Sequence, residues 1–148
     1  LNKSLDHLLN STLETAIELT QADKGNIQFF DESKNELRIV AQSGFTPQFV
    51  EHFRIVRPGY CACGLALKRR ERVLVKDIAK HPELSHLAPI FLSYGFTAVQ
   101  STPLFGAGGE LFGVLSTHFE KPHAFPHPNL EMLDKYIVHA ARQIFELN

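Results

Sequence analysis

Residues 97–119 decide the fold. They read Thr97-Ala98-Val99-Gln100-Ser101-Thr102-Pro103-Leu104-Phe105, then Gly106-Ala107-Gly108-Gly109, then Glu110-Leu111-Phe112-Gly113-Val114-Leu115-Ser116-Thr117-His118-Phe119. Two strand-like runs, 97–105 and 110–119, flank a turn whose glycines can take the positive φ that a tight hairpin needs. Such a turn has no helix N-terminus behind it, so its glycines are not read as a phosphate cradle. Pro103 cannot donate to a ladder, which predicts an edge position or a bulge. Strand alternation puts His118 on the same face as Ser116 and Val114.

A second hairpin lies upstream. Residues 25–31 alternate apolar and polar, as do 36–43 through Leu37, Ile39 and Ala41, and the linker Glu32-Ser33-Lys34-Asn35 has hairpin length. Between the hairpins, residues 44–96 predict a short helix after Pro47, a brief strand near Arg54–Val56 and a helix from about Cys61 to Arg69. A strand at Val73–Val75 and a helix near Leu84–Ser93 follow. The ends are helical. From Asn2 to about Ala22, Leu5, Leu8, Leu9, Leu13, Ala16, Ile17 and Leu19 recur at steps of three and four, with Gly25 read as the stop. Pro128 suits the first turn of a last helix carrying Leu130, Leu133, Ile137, Ala140, Ala141 and Ile144. Ile17, Val138 and Phe145 widen these stripes beyond what one sheet face covers, which favours pairing of the helices with another protomer. Hairpin strands with helices around them predict an α+β domain with an antiparallel sheet.

The 148 residues are 44% hydrophobic and 21% charged, with Lys+Arg 15 against Asp+Glu 16. That composition excludes disordered and collagen-like classes, and its near-neutral charge argues against a nucleic-acid partner. The run Lys68-Arg69-Arg70-Glu71-Arg72 is too short to change this and reads as a solvated helix end. No apolar run reaches the roughly 18–20 residues that span a bilayer, so no membrane segment is expected. The chain opens at Leu1 without Met and closes within a helical pattern, as expected for a piece of a longer protein.

P-loop, GxGxxG, GxSxG and HExxH signatures are absent. The eight histidines offer no metal-ligand spacing: Pro126 and Pro128 break the turn around His123 and His127, and Pro82 separates His81 from His86. His7, His52 and His139 fall on helix surfaces. Cys61 and Cys63 follow the turn Arg57-Pro58-Gly59-Tyr60 and enter a helix, where the dipole favours thiolate. Cysteine is equally a small core residue, so one thiol can be inert packing while the other faces a pocket. A CxC disulfide closes a strained ring, so reduced thiols in a cytoplasmic protein are expected. The strands at 97–105 and 110–119 mix Val99, Val114 and Leu115 with Gln100, Ser101, Thr102, Ser116, Thr117 and His118, a blend typical of a small-molecule pocket.

The sequence resembles a GAF domain of the kind found in bacterial multi-sensor histidine kinases and other two-component signalling proteins. The likeness is carried by residues 22–31, by Leu37–Phe45, by Ala62-Cys63-Gly64-Leu65-Ala66-Leu67, by Ala98–Leu104, and by Gly113–Phe119 with Pro122-His123. It spans residues 1–148 as one domain. The resemblance implies a central antiparallel sheet with both terminal helices on one face. A ligand pocket would lie on the other, roofed by 45–66 and 77–95. It further implies a homodimer through the terminal helices and an attached output domain, a two-component histidine kinase, with no catalysis in this chain. Strand parity and the resemblance together place the ligand-binding residues at Phe53, Tyr60, Cys61, Cys63, Phe91, Gln100, Ser101, Ser116 and His118.

No cofactor is expected. Asp31-Glu32-Ser33-Lys34-Asn35 shares letters, not order, with the signature of cyclic-nucleotide GAF domains. Bilin-binding relatives use a Cys followed by His, whereas Ala62 and Gly64 follow the cysteines here. Haem would need an axial histidine, for which His118 is the positional candidate. The enzymatic alternative is a free methionine-(R)-sulfoxide reductase, whose Val-Cys-Gly-Thr-Ala-like stretch resembles Ala62-Cys63-Gly64-Leu65-Ala66 and would make Cys63 the attacking thiol. Against it, residues 81–91 lack the reductases' further cysteine, and Leu115-Ser116-Thr117-His118 replaces their acidic cluster.

Overall fold

In the computed structural model, which describes residues 2–148, the glycine-linked hairpin lies within the sheet. Strand β5 (Ala98–Phe105) pairs with β6 (Leu111–Phe119) from Ala98↔Phe119 to Phe105↔Leu111. The turn closes through Gly106 N–H to the Glu110 carbonyl at 2.8 Å, with Gly109 at φ +85°. On its other side β6 pairs with β1 (Lys24–Asp31), which pairs with β2 (Glu36–Ser43) and through it with the short β3 (Ile55–Val56). Strand β4 (Val73–Val75) lines the far side of β5. The order is β3-β2-β1-β6-β5-β4, antiparallel throughout, so the α+β antiparallel architecture read from the sequence is the observed one. Pro103 lies beyond the last β4 pairing, Val73↔Ser101, and next to a register shift at Leu104/Phe105, where the missing N–H is tolerated.

Helices α1 (Lys3–Thr20) and α5 (His127–Leu147) pack side by side on one face. The Asn2 side chain caps α1, accepting the Leu5 N–H at 2.7 Å. Leu5, Leu9, Leu13 and Ala16 meet Leu133, Ile137, Ala141 and Ile144 over Ile27, Leu104, Phe112 and Leu115. The predicted stop at Gly25 is corrected: Gln21, at φ +60°, ends α1, and Gly25 belongs to β1. A Cβ at Gly25 would sit 2.9 Å from the Ser116 carbonyl oxygen, so this glycine permits close approach of helix and sheet.

The opposite face carries a roof made of α2 (Pro47–His52), α3 (Cys61–Arg69) and α4 (Ala88–Ser93), with 3₁₀ turns at Ile78–Lys80 and Ser85–Leu87. The helix expected near Leu84–Ser93 is thus a 3₁₀ turn followed by α4, whose first turn holds Pro89. Roof residues Phe49, Phe53, Ala62, Ile78, Leu84, Phe91 and Phe96 pack with Leu37, Val99 and Val114 of the sheet. Lys24 ties sheet to roof by donating to the Tyr94 carbonyl at 3.3 Å.

Covering both faces buries polar side chains as well. On the helix side several are joined in a chain. Thr20 donates to Ala16 O at 2.8 Å and meets Thr117 Oγ1 at 3.0 Å; Gln100 Nε2 donates to Thr117 at 3.1 Å, and Thr102 donates to Gln100. Arg72 reaches Thr102 at 3.0 Å and forms an ion pair with Asp134 of α5. Part of the basic run therefore links the sheet to α5.

The tightest backbone approach is at Gly113, where a Cβ would lie 2.4 Å from the Gln28 carbonyl oxygen. Gly113→Ala should force β1 and β6 apart at a cost of roughly 1–3 kcal/mol. The expected loss in thermal midpoint is roughly 3–10 °C, measured by circular dichroism. An unchanged midpoint would contradict this packing.

Candidate ligand cavity

Between roof and sheet lies a cavity of about 20 Å³ lined by Asn26, Gln28, Phe49, Phe53, Cys61, Ala62, Cys63, Phe91, Phe96, Val99, Ser101, Ser116 and His118. That is room for about one or two water molecules. Its floor comes from alternate residues of the paired strands: Asn26 and Gln28 on β1, Ser116 and His118 on β6, Val99 and Ser101 on β5. The pairings Asn26↔Ser116 and Ser101↔Ser116 bring three of them into a row across the sheet. The roof contributes aromatic rings and the first turn of α3.

The polar floor is incompletely paired within the protein. Ser101 and Ser116 share a hydrogen bond at 2.6 Å. Asn26 Oδ1, Gln28 Oε1 and His118 Nδ1 are buried with no protein partner. Burying a polar atom without a hydrogen bond costs about 1–3 kcal/mol, and three such atoms belong to residues lining this one small space. Thr12 Oγ1, under α1, is another unpaired buried atom among the described residues, and it lies away from this cavity.

His118 is 6% exposed and meets the edges of Phe45, Phe49 and Phe96, with ring centroids 4.9, 5.9 and 4.6 Å away. Burial, aided by the charge of Lys24, pulls its pKa down to about 3. The imidazole is neutral at physiological pH and offers one donor and one acceptor nitrogen.

Both cysteines line the cavity, so neither is the inert packing residue that the sequence allowed for. Their sulfurs lie 3.4 Å apart. Hydrogen bonding between them and burial push the Cys61 thiol well up. The Cys61 hydrogen bond, reinforced by the Gln28 side chain and the Cys63 and Gly64 N–H groups, holds Cys63 below the ordinary range against the effect of burial.

Of the nine residues named from sequence, the structure brings seven to the cavity: Phe53, Cys61, Cys63, Phe91, Ser101, Ser116 and His118. Gln100 is corrected to the helix side, where it bonds Thr117 and Thr102; adjacent strand residues point to opposite faces, so Gln100 and Ser101 cannot both face the roof. Tyr60 is corrected to a position outside the lining, 36% exposed, with its ring 6.3 Å from Phe53. Sequence reading missed Asn26 and Gln28, noted only as polar positions of an alternating strand, and it missed Phe49 and Phe96. Among the described residues no cluster of three or more metal-ligating side chains occurs, and no helix is long and apolar enough to cross a membrane.

The profile of the GAF domain family matches residues 2–144, and the chain belongs to that family. No curated protein sequence matches it significantly. Similar solved structures include a domain from Sinorhizobium meliloti 1021 assigned to a two-component sensor histidine kinase (21% identity, TM-score 0.72, covering 99% of this chain and 92% of that one). A free methionine-R-sulfoxide reductase from Neisseria meningitidis, in complex with its substrate, is 22% identical at TM-score 0.69, covering 94% and 80%. An NreA protein from Staphylococcus aureus mutated in its nitrate binding site is 23% identical at TM-score 0.68, covering 89% and 97%. At these identities the likeness is one of fold.

The buried imidazole gives the cavity a pH signature. The unfolded chain protonates His118 near pH 6.5, the folded one only near pH 3. The stability this contributes is present above about pH 6.5 and is lost as pH falls from there toward 3. Between pH 7 and pH 5 the loss should be about 2 kcal/mol. In urea unfolding, His118→Gln should lose correspondingly less stability over that interval than the wild type. Equal losses in the two proteins would contradict a buried neutral imidazole.

Proposed function

We propose that this GAF domain is a sensory module that holds a small polar molecule between Asn26, Gln28, Ser101, Ser116 and His118. Its occupancy would be reported through paired terminal helices to an attached output domain, a two-component histidine kinase, in the cytoplasm. The observation that carries the reading is the set of three unpaired, buried polar atoms converging on one cavity. A guest no larger than one or two waters that carries O–H or N–H donors supplies partners for the two amide oxygens without moving the roof. The NreA protein, with its nitrate binding site, is a precedent for a small polar guest in a domain of similar fold, although nitrate itself has no donor for those oxygens. The Sinorhizobium meliloti domain supports the output assignment.

The pairing of protomers rests on α1 and α5. Met132 and Val138 are 55% and 49% exposed, and a groove runs between Thr15 and Leu19 of α1 and Met132, Tyr136 and His139 of α5. Burying that groove against a second copy would join the helices that carry the signal.

A reductase reading is favoured by one feature, the cavity-facing Cys63 with its lowered pKa. Methionine sulfoxide is far larger than a space of about 20 Å³, so turnover would require the roof to open. Residues 81–91 also hold no second cysteine.

Small polar compounds and anions can be screened by thermal shift. A ligand at a hundred times its Kd should add about 2.7 kcal/mol, and Ser116→Val should abolish the shift. A panel without effect on the wild type, together with turnover of free methionine sulfoxide that Cys63→Ser abolishes, would overturn the sensory reading. In sedimentation the wild type should be dimeric and Met132→Glu monomeric, whereas a strictly monomeric wild type at high concentration would remove helix pairing.

A further inference from the structure

We propose that Cys61 and Cys63 form a peroxide-oxidisable dithiol in the cavity wall, alternating between the free thiols seen here and an intramolecular disulfide. The inference stands on the cysteine pair, with peroxide entering the cavity when no other guest fills it.

Geometry carries it. In a regular helix residues i and i+2 point about 200° apart and their side chains do not meet. Here Cys61 has φ +50°, in the left-handed region that a residue with a side chain seldom occupies. That turn at the start of α3 brings the two sulfurs to 3.4 Å, both buried and both lining the cavity. A strained backbone conformation at a site is a feature the surrounding structure has to maintain. What it maintains here is a thiol–thiol contact.

The surroundings assign a role to each sulfur. The Cys63 and Gly64 N–H groups favour the thiolate of either sulfur, whereas the Gln28 side chain favours that of Cys63 alone. With Cys63 so favoured, Cys61 keeps its proton and donates across the 3.4 Å contact. Cys63 is therefore the attacking sulfur and Cys61 the resolving one. The cavity, with room for about one or two waters, is large enough to hold hydrogen peroxide and too small for bulkier oxidants.

The chemistry balances with hydrogen peroxide as the oxidant. The Cys63 thiolate attacks one peroxide oxygen, the O–O bond breaks, and hydroxide leaves and takes up a proton to become water. Cys63 is now a sulfenic acid. Cys61 loses its proton and attacks the sulfenic sulfur; the S–S bond forms, the S–O bond breaks, and a second water departs. Two thiols and one peroxide thus give one disulfide and two waters. The sulfurs must close from 3.4 Å to about 2.05 Å, which displaces the first turn of α3. Gly59 N–H is bonded to Gly64 O at 2.8 Å, so the roof loop before α3 moves with it. Strain in so short a ring makes the bond easy to reduce, as a reversible switch requires.

The test uses the reduced 148-residue chain, exposed to a small molar excess of hydrogen peroxide, quenched in acid, unfolded and alkylated with N-ethylmaleimide. Intact mass should show a monomer lacking two hydrogens and carrying no maleimide, and dithiothreitol should restore two alkylatable thiols. Cys61→Ser should instead accumulate a sulfenic acid at Cys63 that dimedone traps, and Cys63→Ser should react at least about tenfold more slowly, as expected for a thiol without thiolate character. Two free thiols after peroxide treatment of the wild type would overturn the proposal, and so would only intermolecular disulfides. Retained reactivity in Cys63→Ser with loss in Cys61→Ser would overturn the assigned roles.

Discussion

A sheet covered on both faces must hide every polar side chain it carries, and that constraint organises this molecule. Each buried hydroxyl, amide or imidazole either finds a partner or raises the free energy of the fold. The two faces meet the constraint differently. Under the helices, Thr20, Thr117, Gln100, Thr102 and Arg72 form a connected chain that ends on Asp134 of α5. Under the roof, Ser101 and Ser116 satisfy each other, while Asn26, Gln28 and His118 keep atoms in reserve. Stability is invested on one side and reactivity or recognition on the other.

The same strands serve both sides, and this is how the cavity and the terminal helices are connected. Ser116 and His118 face the roof; Thr117 between them holds Thr20 near the end of α1. Ser101 lines the cavity, and its neighbours Gln100 and Thr102 belong to the chain that reaches α5. A shift of β5 or β6 would be felt by groups hydrogen-bonded or ion-paired to both helices. Packed elements change between discrete arrangements, so such a shift can bias how the helices lie.

Much of this was legible in the sequence. The glycine-linked hairpin, the two amphipathic end helices and the antiparallel sheet followed from period and turn chemistry. The cavity floor was only half legible. Asn26 and Gln28 alternate with Ile27, and polar alternation signals solvent unless the other face is known to be roofed. Gln100 and Ser101 were both assigned to the pocket, although strand parity separates neighbours and only the pairing Gln100↔Thr117 says which one faces the helices. The end of α1 was read at Gly25, whereas Gln21 takes the left-handed turn and Gly25 makes room for the helix. Nothing in the letters Cys61-Ala62-Cys63 announces a positive φ, so the meeting of the thiols appears only in three dimensions.

The proposed sensing depends on a polar hollow in which Asn26, Gln28 and His118 have atoms without protein partners. A high-resolution crystal structure of the purified domain tests that most directly. The expected result is ordered density between sheet and roof, a water or a small molecule, within hydrogen-bond distance of Asn26 Oδ1, Gln28 Oε1 and His118 Nδ1. A collapsed interior, with those three side chains turned to bond protein groups and no density between them, would contradict it.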